Sequence, residues 1–136
     1  MKYETVDDGV VLDASALLAD ILNEPVSSKL ETIIEEHRCF SPSLIRYEVA
    51  NGLLLAYRRD RIASPDPLKI IDQFPIEHPS REFWWEGAGA FNREHRLTFY
   101  DATYASMAKE LELPLLTLDN ELREACEEEG LTLKRI

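Results

Sequence analysis

The sequence predicts an α/β fold built on a central, mostly parallel sheet. Two observations predict it most directly: short apolar runs alternate with stretches of helical spacing, and two of those runs end in an aspartate where the chain turns into a helix. Strands that alternate with helices favour parallel pairing, because each helical crossover returns the chain to the same end of the sheet. A third observation concerns organisation, since no repeat, low-complexity tract or long linker divides the 136 residues. A chain of that length with 45% hydrophobic residues can bury its own core, so one domain is expected over residues 1–136, with residues 1–8 as a leader ahead of the first strand.

The elements follow in order. "GVVLD" (9–13) is a β-branched run ending at Asp13, and "ASALLADIL" after it has helical spacing. Pro25 is placed to open a second helix through "VSSKLETIIEEH", with Leu30, Ile33 and Ile34 on one face. "RCFS" reads as a strand. Ser41 followed by Pro42 reads as an N-cap with proline at the first helical position, leading into the long helix "SLIRYEVANGLLLAYRRD" with basic residues in its last turn. Residues 64–80 hold four of the seven prolines and should form a short helix and a turn.

"SREFWWEGAGAFNREHRL" resumes as helix, with Phe83, Trp84, Gly87 and Phe91 on one face. Its "GAG" follows no strand, so it marks close helix packing rather than a phosphate loop. Phe83, Trp84, Trp85 and Phe91 are expected as core or dimer-interface aromatics, with RNA stacking as the lesser role. "TFYDATYASMA" (98–108) is helical, and the spacing of Thr98 and Asp101 is that of a capping box. "LPLLTLD" is a buried strand ending at Asp119, "NELREACEEEG" a helix closed by Gly130, and "LTLKRI" the last strand.

Charge and cysteine usage narrow the function. A net charge of −11 and a pI of about 4.7 exclude a protein that grips nucleic acid through a broad basic surface. Polyanion binding would need cations over a carboxylate cluster, and the same field suits a basic protein partner. There is no run of 18 apolar residues, so no membrane span is expected. Cys39 and Cys126 stand alone, without CxxC spacing, which favours reduced thiols in a cytoplasmic protein. His37, His78 and His95 lack ligand-like spacing and are read as ordinary surface histidines.

Four acids carry the chemical signal. Asp13 and Asp119 end strands, where ligands bind in open parallel sheets; each could equally cap the helix that follows it. Glu48 lies well inside a helix on a largely apolar stretch, where a carboxylate is costly unless it is paired or metal-bound. Asp101 can cap its helix and still join a site, and Ala102, Ala105 and Ala108 allow close approach of other backbone. Oxygen ligands without a cysteine or histidine set favour a hard cation, Mg²⁺ or Mn²⁺, and phosphodiester chemistry.

Taken together, "VVLDASALL", "LIRYEVANGLLLA" and "LTFYDATYASMAKELELPLLTLD" resemble the PIN-domain family, and within it the VapC-type toxin ribonucleases, over about residues 9–134. The resemblance implies a three-layer α/β/α fold and Mg²⁺- or Mn²⁺-dependent endonucleolytic cleavage of RNA. It implies metal binding and catalysis by Asp13, Glu48, Asp101 and Asp119, supported by Ser15 and Thr117, while Tyr100 and Tyr104 match aromatic positions of the third motif. It further implies a homodimer and a cognate antitoxin that lays a segment with a basic residue over the acidic pocket. The acidic leader, with Glu4, Asp7 and Asp8, departs from the pattern.

Two other functions compete. A non-catalytic PIN-like domain that binds a protein partner would not need to keep clustered carboxylates. A phosphatase with Asp13 as nucleophile would need a second aspartate two residues on, where this chain has Ser15.

Overall fold

A computed structural model describes residues 8–63, 66–80, 84–131 and 133–134, with the side chains of 67, 68, 133 and 134 excepted. Most of the leader, with Glu4 and Asp7, and also Phe83, therefore lie outside the described residues.

The elements run β1 (Gly9–Leu12), α1 (Ala14–Ile21), α2 (Ser27–Glu36), β2 (Arg38–Phe40), α3 (Leu44–Arg58), α4 (Pro67–Ile71), β3 (Ile76–Glu77), α5 (Trp84–Glu94), α6 (Phe99–Leu111), β4 (Leu115–Leu116), α7 (Asn120–Glu128) and β5 (Leu133–Lys134). All pairings are parallel, in the order β3-β2-β1-β4-β5. Helices α1, α2, α3 and α4 pack on one another, as do α5, α6 and α7, with the sheet between the two groups. This is a three-layer α/β/α sandwich.

The central strands explain why the sheet is covered on both faces. Val10, Val11 and Leu12 of β1, and Leu115 and Leu116 of β4, have no exposed surface, the continuous apolar reading expected of parallel strands under helices. Two glycines set how closely the helices approach. A Cβ at Gly52 would lie 2.6 Å from the Leu18 side chain, and one at Gly87 would lie 2.1 Å from Ser106 Oγ, so α1 against α3 and α5 against α6 need the missing methyl. The "GAG" stretch is thus a packing feature. Cys39 and Cys126 are buried thiols, and burial pushes their pKa up to about 11 and about 12, so both stay protonated and unreactive.

Three local expectations change. The proline-rich segment contains a strand, β3, which adds a fifth member to the sheet through Cys39↔Ile76 and Phe40↔Glu77 pairing. Two residues give too short a pattern to read against four prolines. Pro25 lies inside a turn closed by Ser27 N–H to Glu24 O at 2.8 Å, and α2 begins only at Ser27. Ser41 does not cap α3: its hydroxyl donates to Leu12 O at 2.9 Å, its N–H donates to Glu77 O, and its carbonyl accepts from His78 Nδ1 at 2.8 Å. The residue ties the ends of β1, β2 and β3 together, and α3 starts later, over a turn from Ile45 N–H to Pro42 O.

Candidate active site

The strand order reverses between β1 and β4. The chain adds β2 and β3 on one side of β1, then returns to place β4 and β5 on the other. A crevice forms at such a switch point beyond the carboxyl ends of the two strands, because the following helices leave toward opposite faces. Leu12 and Leu116 pair as the last residues of β1 and β4, so Asp13 and Thr117 emerge side by side into that crevice.

Asp13 is 3% exposed and is bonded on both oxygens. Oδ1 accepts from Ala16 N–H at 3.0 Å, which also caps α1, and from Ser15 Oγ at 2.7 Å. Oδ2 accepts from the Thr117 hydroxyl. The two hydroxyls are themselves aimed, since Ser15 Oγ accepts from Leu118 N–H and Thr117 Oγ1 from Asp119 N–H, each at 3.0 Å. With those lone pairs occupied by backbone donors, both protons point at the carboxylate. Burial still dominates and raises the Asp13 pKa to about 6; the bonds from Thr117, Ala16 and Ser15 pull it back, and the charge of Asp101 adds to the rise.

The other acids come from the two helices that meet over the strand ends and from the start of α7. Asp119 caps α7 through Leu122 N–H at 3.0 Å. Thr98 caps α6 by accepting from Asp101 N–H at 3.1 Å, half of the expected capping box. The Asp101 pKa is raised, first by desolvation and then by Asp119 and Glu48, whose charges it feels together with that of Glu121. Glu48, about one turn into α3, accepts a hydrogen bond from the Tyr104 hydroxyl across the crevice. Burial and that bond drive the tyrosine pKa well above its ordinary value, so Tyr104 remains a donor.

The fold therefore brings Asp13, Glu48, Asp101 and Asp119 to one end of the sheet, with Ser15 and Thr117 on Asp13. Among the described residues no ion pair involves any of the four acids. Two contributors were not singled out for these roles by sequence. Tyr104, which sequence marked only as an aromatic position of the third motif, holds Glu48. Arg123 Nη2 donates to Thr117 O at 2.7 Å and steadies the loop that presents the threonine.

Whether these residues suit a cation can be tested on their chemistry. Carboxylates with hydroxyls are hard oxygen donors, and a carboxylate buried against its own charge, with no cationic partner, is what a divalent ion stabilises. The four acids do not close into a set of three donors within 4.8 Å; among the described residues the group that does so is Glu94, His95 and Glu129. The arrangement at the strand ends thus fits a hard divalent cation that keeps part of its water shell rather than one caged wholly by protein. The other group lies roughly 15 Å away along α7, counting ten residues from Asp119. It was invisible to sequence spacing because it joins the end of α5 to the end of α7.

A parallel sheet covered on both faces, with carboxylates gathered at its switch point, defines an α/β domain with an acidic site. The PIN domain family matches residues 10–128, and the chain belongs to that family. Ribonuclease VapC1 of Mycobacterium tuberculosis (strain CDC 1551 / Oshkosh) is 30% identical over 127 residues, 87% of this chain and 91% of its own. VapC ribonuclease Mb0985 of Mycobacterium bovis is 32% identical over 114 residues, 81% of this chain and 85% of its own. Among solved structures, PAE2754 from Pyrobaculum aerophilum superposes with a TM-score of 0.63 at 27% identity, covering 89% of this chain and 81% of that one.

Proposed function

We propose that the protein is an endoribonuclease, the toxin of a type II toxin–antitoxin pair, that cleaves RNA phosphodiester bonds with Mg²⁺ or Mn²⁺ held by Asp13, Glu48, Asp101 and Asp119. The observation that carries this reading is the buried, hydroxyl-bonded Asp13 at the switch point, facing three further acids, none of them in an ion pair among the described residues. Kinship with proteins named as VapC ribonucleases supports the substrate class.

Each residue has a part that its contacts define. Ser15, Thr117 and Ala16 N–H fix the Asp13 carboxylate so that it presents charge in one direction. Tyr104 holds Glu48 over the crevice from the opposite wall, and Thr98 anchors the first turn that carries Asp101. A bound divalent cation would supply a water of lowered pKa and charge stabilisation of the phosphorane-like transition state. The acidity of the chain, −11 overall, suits a basic antitoxin segment over the same pocket, and a homodimer is the expected assembly. Among the described residues no helix is long and apolar enough to cross a membrane.

The test is cleavage of end-labelled structured RNAs by purified protein with Mg²⁺ or Mn²⁺, beside EDTA and Asp13→Asn controls. Discrete products that vanish in both controls are expected. Cleavage that persists in EDTA, or none from folded, antitoxin-free protein across a wide RNA panel, would overturn the reading in favour of a protein-binding domain.

A further inference from the structure

The aromatic residues near the acids divide in a way that matters. Trp84 and Phe91 are buried in the core, whereas Trp85 is 71% and Tyr100 62% exposed. Both exposed rings line a groove of about 900 Å³ whose walls come from the start of α3, the start of α5 and the start of α6. The groove and the acids share elements: Tyr100 and Thr103 of its lining are on α6 with Asp101 and Tyr104, and Leu44 lies one turn before Glu48 on the same face of α3.

We infer that this groove is a nucleobase subsite, in which an unpaired base of the RNA strand stacks on Trp85 and Tyr100 beside the acidic pocket. The inference rests on the ribonuclease reading and extends it to how the strand is held. The chain carries a net charge of −11 and cannot hold RNA by its phosphates over a wide surface, so beyond a cation at the acids affinity is best supplied by groups indifferent to charge. Stacking on aromatic faces is such a source, because every base has a π-face. Among the described residues Glu86 is the one charged residue of the lining, and the hydroxyls of Ser43, Ser80 and Thr103 offer partners to base edges.

The ring arrangement suits a platform. Trp85 leans on Phe99 with ring centroids 4.6 Å apart and planes at 55°, which fixes the indole while leaving most of it in solvent. A second copy of the chain is the competing occupant. A concave groove favours an inserted ligand over a self-matching surface, and exposed Leu54, Leu55 and Tyr57 farther along α3 offer apolar area to a protein partner elsewhere.

The experiment uses the full chain carrying Asp13→Asn, which binds without cutting, and a 5′-labelled single-stranded RNA read by fluorescence anisotropy with Mn²⁺. Adding Trp85→Ala should weaken binding roughly 5- to 100-fold, Tyr100→Ala less, and Trp85→Phe should restore most of it. An RNA with abasic positions flanking the cleavage site should bind Asp13→Asn weakly and show no further loss with Trp85→Ala. RNA binding indifferent to Trp85 would overturn the subsite and leave the ribonuclease reading intact. Absence of RNA binding by Asp13→Asn, with absence of cleavage by the unaltered chain, would overturn the ribonuclease reading itself. Sedimentation of both proteins decides the remaining case: a Trp85→Ala dimer loss without dependence on the abasic positions makes the groove an interface between copies and sinks the proposal.

Discussion

Two acid-rich regions lie at opposite ends of α7 and are built on different principles. At its C-terminal end Glu129 faces Lys109 Nζ at 3.8 Å, and Glu128 faces His95 Nδ1 at 3.2 Å. There the protein provides a cationic partner in Lys109 and a ring nitrogen of His95. At the N-terminal end Asp13, Glu48, Asp101 and Asp119 have only hydroxyl and N–H donors among the contacts described. Hydrogen bonds orient a carboxylate but do not cancel its charge, so the second region keeps a negative field directed into the crevice. The difference separates acids that close a surface from acids that wait for an external cation.

Breaking the second region should have the largest effect. Asp13→Asn is expected to reduce cleavage by roughly 10²- to 10⁴-fold, the range seen when a positioned electrostatic or acid–base group is lost, measured as single-turnover rates on one RNA. The same substitution should stabilise the cation-free protein. The folded chain keeps the Asp13 proton up to about pH 6, whereas the unfolded chain releases it near 3.8. Between those values the folded state binds more protons, so stability falls as pH rises through the window and stays low above it. The penalty is on the order of 3 kcal/mol for a shift of that size. Urea melts from pH 4.5 to 7.5 in EDTA should show the decline in the unaltered chain and a flatter profile in Asp13→Asn.

Restoring the charge should act in the opposite sense. Mn²⁺ at about a hundred times its dissociation constant should stabilise the unaltered chain by about 2.7 kcal/mol, read as a rise in Tm, and should not stabilise Asp13→Asn/Asp101→Asn. A rise of equal size in the double variant would place the ion elsewhere, with Glu94, His95 and Glu129 the first group to examine. Tyr104→Phe removes the donor to Glu48 and should lower kcat by about tenfold with little change in KM, in keeping with a charge-assisted bond worth about 1.5–3 kcal/mol. At the other end of α7, Lys109→Met should change stability by less than about 1 kcal/mol, because Lys109 is more than half exposed and its contact with Glu129 is long at 3.8 Å, and should leave cleavage rates unaltered.

The parts of this arrangement that sequence made legible are those set by local chain direction. Asp13 could be placed because a buried strand running into a helix puts its next residue at the sheet end, whichever strand lies beside it; β4 ends at Leu116, earlier than expected, and Asp119 reaches the same end as the cap of α7. Thr98 and Asp101 could be read as a cap because both partners are within one turn. What could not be read depends on contacts between distant segments. Ser41 has the sequence pattern of a cap, yet its hydroxyl is taken by Leu12 O on another strand. The bond from Tyr104 to Glu48 spans 56 residues, and the division of Trp84 from Trp85 follows from which side of α5 meets α6.

Gly87 bears on this last point. A methyl group at that position would lie 2.1 Å from Ser106 Oγ and 3.2 Å from Ser106 Cβ, so added bulk there must turn the serine side chain or shift α5 against α6. The start of α5 carries Trp85 and the start of α6 carries Tyr100 and Asp101, so the same contact sets the width of the aromatic groove and the position of one acid. Width and chemistry are then a single mechanical variable, and a change in the helix contact at residue 87 retunes both without touching either.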